Sequence, residues 1–310
     1  MKILANVGFH QYDKERFNRD DISRIKMANV LRWSIMHKCT NTGIIARIIE
    51  TPKDENGKFK MSYVYNFIAK MIRKKLIKSV IMPQTIQRKV YIATQTGWDF
   101  AQDMYQNIDL SYHNTDASKI NGNKINHDLV AQEVALNLID AASEKSKNVD
   151  YWSEREFSIF CEKLNSKKRA DYLAEWERWK KEEKNWAVPS VKFKRKPDFV
   201  IEIDDKKTAY EIEVTAKSKH LYKNIILNYA EGIRQQFVDK VVYYCSNRQI
   251  KKILDENVEQ HSVVHHKGKT FLTEKNVFKQ NYSTNFSVNL SPKLLRILMG
   301  SSVAERLLDV

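Results

Sequence analysis

The stretch KPDFVIEIDDKKTAYEIEVTAKS, Lys196 to Ser218, alternates apolar and polar residues, turns at Asp204-Asp205-Lys206-Lys207, and alternates back. That is the period of two strands joined as a hairpin. With those four residues as the turn, Asp198 is expected opposite Glu213 and Val200 opposite Glu211. Side chains alternate between the faces of a sheet, so Asp198, Glu202, Glu211 and Glu213 share one face. Phe199, Ile201, Ile203, Ile212 and Val214 fill much of the other.

Opposed carboxylates with β-carbons about 5 Å apart destabilise a hairpin unless a cation lies between them. A basic side chain serves. A divalent metal serves better, because Mg2+ takes oxygen ligands and keeps several waters. Asp198, Glu211 and Glu213 are therefore the candidate metal ligands, and Lys217, four residues on, supplies a cation nearby. A metal so held lowers the pKa of a bound water and stabilises charge on a phosphoryl oxygen. A lysine beside it steadies the transition state. This is the minimal kit for phosphodiester cleavage. Glu202, next to the turn, is read as a solvated acid.

Outward from the hairpin, NHDLVAQEVALNLIDAASEK (126–145) reads as a helix with Asn126 as its cap. The charged run CEKLNSKKRADYLAEWERWKKEEKNW is also read as helical. After the hairpin come a helix (KHLYKNIILNYAEGIRQQF), a strand (DKVVYYCS) and a further helix (NRQIKKILDENV). The order predicts a mixed α/β domain with a small central sheet over 126–260. Residues 261–310 are a C-terminal extension, read as a hairpin-like piece and a helix without an assigned role. Its His261, His265 and His266 have no cysteine near and are read as a solvated turn.

The amino-terminal region has another character. DDISRIKMANVLRWSIMH places Ile22, Ile25, Val30, Trp33 and Met36 on a helical stripe, and TGIIARIIE is a short second helix. After a polar loop, MSYVYNFIAKMIRKKLI puts Val64, Phe67, Ile68 and Met71 on one buried face. Its other side carries Tyr63, Asn66, Lys70, Arg73 and Lys74. IKSVIM and IQRKVYIAT then read as a hairpin turning at Pro83-Gln84. Three helices and a hairpin make the plan of a winged helix-turn-helix, whose third helix enters the major groove. Between Lys58 and Trp98 there are nine Lys or Arg and no Asp or Glu. Lys58, Lys70, Arg73, Lys74, Lys78, Arg88 and Lys89 are expected to contact phosphates, beside Tyr63 and Asn66. The domain is set at 1–98, with 99–125 as a polar linker.

The bulk composition agrees with a polyanionic partner: 53 Lys and Arg stand against 38 Asp and Glu in 310 residues, a net charge of +15. Cys39, Cys161 and Cys245 are widely spaced and read as thiols of a reducing compartment. No run of apolar residues approaches the roughly 18 needed to span a bilayer, and no signal peptide opens the chain. A cytoplasmic protein is expected.

PD, followed thirteen residues after the Asp by EIE, resembles the PD-(D/E)xK motif of restriction-endonuclease-like phosphodiesterases. A lysine normally stands where this chain has Glu213, and Lys217 is the substitute charge. Most of the chain, with its winged helix, NHDL, YWSERE and KPDFVIEI…AYEIEVTAKSKHLYKNIILNY, resembles plasmid mobilisation relaxases of the MobC/TraX type and the related replication-relaxation proteins. The resemblance implies an α/β chain, an amino-terminal winged helix followed by a restriction-endonuclease-like domain. It implies a nickase that uses Mg2+ or Mn2+ on double-stranded DNA at an origin of transfer, beside accessory mobilisation or coupling proteins. Asp198, Glu211, Glu213 and Lys217 would form its site, with His127 from NHDL and Glu154 from SERE approaching. Tyr222, one helical turn beyond Lys217-Ser218, has two readings: a nucleophile, as tyrosines are in many relaxases, or a side chain packed against the sheet. Two other expectations stand open: a catalytically inactive replication or transcription regulator, and a double-strand endonuclease of a restriction or transposition system.

Overall fold

The computed structural model describes residues 17–82, 89–105, 122–146, 148–180, 193, 195–260, 263–266, 269–272 and 282–286. It is a mixed α/β chain that divides into two units. Among the described residues the first unit runs to Ser153 and takes in Ile201–Asp205. The second comprises Glu154–Val200 and Lys206–Phe286. No described helix is long and apolar enough to cross a membrane. The three cysteine thiols are buried and free, and burial pushes each of them up to about 12.

In the first unit, α1 (Arg19–His37) opens at Asn18, whose side chain accepts from the N–H groups of Asp20 and Asp21, both at 2.9 Å. An Asn cap and two acids in the first turn suit the positive end of a helix. The apolar stripe read from the sequence understates this element: from Ile25 to Met36 every residue except Arg32 is buried. A helix enclosed on all sides loses the amphipathic period. α2 (Thr42–Ile48) is capped by Asn41, which accepts from Ile44 N–H at 2.8 Å. α3 (Met61–Arg73) buries Val64, Phe67, Ile68 and Met71, the stripe its spacing predicts. Lys75, at φ 57°, breaks the helix and leads into β1 (Ile77–Ile81). β1 pairs antiparallel with β2 (Lys89–Ala93), Ile77 facing Ala93 and Ile81 facing Lys89. The expected turn at Pro83-Gln84 lies outside the described residues.

Two helices in this unit depart from the sequence reading. Gln95–Met104, expected as the close of the wing and the start of a linker, forms α4. Thr94 caps it by accepting from Gly97 N–H at 3.0 Å, and a β-carbon on Gly97 would come within 2.0 Å of the Leu76 carbonyl oxygen. Glycine here permits a close backbone approach, which a sequence does not distinguish from a turn. α5 (Gly122–Ser143) begins a turn before its expected cap Asn126, and the division into units falls after it. On it, Gln132 accepts from the Trp33 indole N–H at 2.8 Å and donates to the Cys39 carbonyl at 3.1 Å. Arg47 donates to Asn137 at 2.8 Å and to Asp140 at 2.5 Å. β3 (Val149–Ser153), a strand not anticipated, closes the unit's main run.

The second unit begins with α6 (Glu154–Lys180) and continues through β4 (Phe199–Ile203), β5 (Lys206–Glu213), α7 (Lys219–Arg234), β6 (Lys240–Cys245) and α8 (Arg248–Gln260). A small hairpin, β7 (Val263–His266) with β8 (Lys269–Leu272), precedes β9 (Tyr282–Phe286). The strand order is β3-β4-β5-β6-β9, and β5, β6 and β9 are mutually parallel. Parallel neighbours need crossover connections; α7 supplies the one from β5 to β6. The extension beyond residue 260 thus contributes the edge strand β9 to the sheet.

The β4–β5 turn is tighter than the sequence reading. Asp204 and Asp205 alone form it, at φ 49° and 65°. Two positive φ angles are what a type I′ hairpin requires, and Asp is among the few residues that tolerate them. The four-residue turn expected over Asp204–Lys207 is corrected by this geometry. The slip is two residues, so each side chain keeps its face and changes its partner. Asp198, just before β4, is bonded to the middle of β5 rather than set opposite Glu213: its N–H donates to Tyr210 O at 3.0 Å and its carboxylate accepts from Ile212 N–H at 2.7 Å.

Candidate acidic site and basic surface

The acid face of the hairpin is covered. Glu211 and Glu213 are buried, Asp198 is half-buried, and Val200 on the same face is fully buried. A solvated acidic face is thereby excluded for these residues, while Glu202 beside the turn is half-exposed. Buried carboxylates need compensation, and each glutamate has its own.

Glu211 is held by Arg195. Nε donates to Oε1 at 2.7 Å and Nη2 to Oε2 at 2.8 Å, a parallel fork. The Tyr229 hydroxyl donates to Oε1 at 2.5 Å, and the guanidinium lies 5.9 Å from the centre of the Tyr229 ring. Burial alone would lower the Arg195 pKa; Glu211 beside it reverses the sign, and the guanidinium is held well above its ordinary value. The Tyr229 hydroxyl is raised, by burial first and by Glu211 second. Glu213 is ion-paired with Lys217, four residues along the chain in the non-helical link to α7. Burial raises the Glu213 carboxyl, and Lys217 opposes that rise. The end of β5 is pinned by Ser246, whose N–H donates to Glu213 O and whose hydroxyl donates to Val214 O, both at 2.9 Å.

Asp198, Glu211 and Glu213 lie at the open end of one hairpin, Asp198 bonded to Ile212 N–H, and Lys217 beyond it is paired with Glu213. Arg195 and Tyr229 were missed. Arg195 sits in KRK, which reads as a solvated basic run, and Tyr229 falls on the buried stripe Tyr222, Ile225, Ile226 and Tyr229 of α7. What aims Arg195 is Phe193, buried against Phe237 at 5.3 Å and Tyr229 at 5.9 Å between ring centres. Tyr222 is fully buried, and its hydroxyl accepts from Lys217 N–H at 3.2 Å. Burial pushes it up to about 12, so it is poorly placed as a nucleophile. Glu154 is the first residue of α6. His127 belongs to the first unit, in the second turn of α5, with Nδ1 3.5 Å from Asp128 Oδ1.

A hard cation takes oxygen ligands, and this donor set has the right chemistry. Glu211, however, has three of a carboxylate's roughly four acceptor sites filled by Arg195 and Tyr229. Among the described residues no three of His, Cys, Asp and Glu converge as metal ligands.

The other candidate surface is on α3 and β1–β2. Tyr63, Asn66, Arg73, Lys74, Lys78 and Lys89 are exposed, as are Lys58, Lys60 and Lys75. Lys70 is half-buried and donates to the Ser23 hydroxyl at 3.0 Å, so it is partly committed within the unit. Tyr63 accepts from the Lys26 ammonium at 3.2 Å. Arg88 lies outside the described residues. Comparison of the chain with protein families, curated proteins and solved structures gives no match.

Proposed function

We propose that the chain is a DNA-processing protein: its first unit binds duplex DNA as a winged helix, and its second is a restriction-endonuclease-like nickase acting at a plasmid origin of transfer. One observation carries the DNA reading. Of the nine Lys and Arg between Lys58 and Trp98, seven stand exposed on a surface with no acid in that segment, one is half-buried and one lies outside the described residues. Such a one-signed face costs self-repulsion unless phosphates neutralise it.

For cleavage, the support is that Asp198 and Glu213 both lie at the open end of β4–β5, with Lys217 paired to Glu213. With Glu211 engaged by Arg195, Asp198 and Glu213 would hold Mg2+ or Mn2+. That cation would activate water and neutralise charge on the phosphate. Asp198 is positioned by Ile212 N–H, and Lys217 is held at the site by Glu213. Glu211 acts as the buried anchor that keeps the hairpin, Arg195 and α7 in place.

A second reading is favoured by the Arg195 fork itself: acids already neutralised by cations suit a structural network in a DNA-binding regulator. Supercoiled plasmid carrying origin DNA, incubated in Mg2+, Mn2+ or EDTA, separates them. Metal-dependent open circles, lost in Asp198→Ala and Glu213→Ala, would support the nickase. Linear product would point to a double-strand endonuclease. Binding without any cleavage would leave the regulator.

A further inference from the structure

Of the six large apolar side chains exposed among the described residues, four lie on α3 and β1: Tyr63, Tyr65, Ile72 and Ile81. Two of them form a pattern. Tyr65 is 57% and Ile72 38% exposed, and the exposed Ala69 lies between them at helical spacing. Positions i, i+4 and i+7 run along one side of a helix, so the three make an apolar lane about 10 Å long. Beside it runs a polar lane of exposed Asn66 and Arg73, with Lys74 following. Two lanes of opposite character on one open helix face form a surface for recognition.

Its occupant must accept both. A second copy of this chain would bring the same positive face against Arg73, Lys74 and Lys75 and be repelled. A polyanion is attracted, but an apolar lane among lysines gains nothing from phosphates alone. Duplex DNA offers both features in one groove. Its major groove admits an α-helix, is walled by phosphates, and exposes one large apolar group, the C5-methyl of thymine. The deep, narrow major groove of an RNA helix excludes side chains, and uracil lacks the methyl. We infer that the Tyr65-Ala69-Ile72 lane of α3 reads thymine methyl groups in the major groove, while Asn66 alongside pairs with the adenine edge. Asn offers the donor and acceptor that adenine N7 and N6 match, so both lanes select A·T pairs. The lane spans about three base-pair steps. This rests on the DNA-binding reading and adds to it a base preference and the residues that set it.

The test uses the full chain and a duplex of about 30 base pairs enriched from a random pool by binding to it. The same duplex is synthesised with deoxyuridine for every thymidine, which removes the methyl groups and keeps the pairing. The expected result is an affinity lower by about fourfold for each methyl in contact, from roughly 0.8 kcal/mol per buried carbon. The Tyr65→Ser/Ile72→Ser double variant, checked for native circular dichroism, should bind both duplexes alike. Equal binding of the two duplexes by the parent chain overturns the thymine inference and leaves salt-sensitive DNA binding standing. A double variant that keeps the parent's ratio places the discrimination elsewhere and overturns it too. If no duplex is enriched, the inference falls together with the DNA-binding reading.

Discussion

Arg195 and Glu211, sixteen positions apart, meet through two parallel hydrogen bonds of 2.7 and 2.8 Å beneath the covered face of the hairpin. The pair answers the charge problem that the acidic strand poses. A guanidinium neutralises one glutamate and Lys217 the other, so the hairpin folds with each of these charges compensated.

Removing one partner of a buried pair costs more than removing both. Arg195→Met is expected to lower stability by about 3–5 kcal/mol, because Glu211 is left buried with Tyr229 alone. Adding Glu211→Met should recover most of that loss. Urea denaturation of the two variants measures it, and a single-variant loss below about 1 kcal/mol would mean that water replaces the guanidinium.

Burial holds the Glu213 carboxyl above its ordinary 4.5. A carboxyl raised in the folded chain keeps its proton at a pH where the unfolded chain has released it. Its contribution is therefore full below about pH 4.5 and is lost as pH rises through the folded value. Glu213→Gln is neutral throughout, so its stability relative to the parent should improve from pH 4 to pH 8. The reverse trend would show that the Lys217 pair outweighs burial.

Gly232 lies under the ring that aims Arg195: a β-carbon there would come within 2.4 Å of Phe193. Gly232→Ala should cost about 1–3 kcal/mol by overpacking. A smaller side chain at Phe193 should make the same alanine cheaper. Thermal melts of the single and paired variants read the coupling; simple additivity would show that Phe193 is not the obstacle.

Gln132 depends on the Trp33 indole for a donor 2.8 Å away in a buried setting. Trp33→Phe removes that donor and, its ring being smaller, leaves part of a fully buried site empty, with an expected loss of about 2–4 kcal/mol. Adding Gln132→Leu removes the orphaned amide oxygen but also the 3.1 Å donor to the Cys39 carbonyl, so the double variant should recover only part of the loss, and no recovery would locate the cost in packing and at Cys39.

For the basic surface the readout is salt. Arg73→Ala and Lys74→Ala should each flatten the dependence of log K on log salt by about 0.9, the release of one phosphate's counterion. Lys70→Ala should flatten it less, because Lys70 already donates to Ser23. Full-size slope changes from Lys70 with none from Arg73 would displace the binding face.

The sequence by itself determined the local pattern: the buried stripe of α3, the basic run around it, and which side chains of the Lys196–Ser218 stretch share a face. These follow from period and composition, which depend on neighbours along the chain. A two-residue error in the turn left the faces unchanged because a strand repeats every two residues. Tertiary structure decided the rest. It buried α1 on all sides and so erased its period, formed α4 around a close approach of Gly97 to Leu76, and set α5 against Trp33. It also chose which cations meet which acids. Glu211 to Arg195 and Tyr229 is a contact among residues 16 and 18 positions apart, fixed by the seat of Phe193 and the pitch of α7. Opposite charges in a sequence show that compensation is needed; packing selects the partner, because only packing brings distant side chains within hydrogen-bond reach.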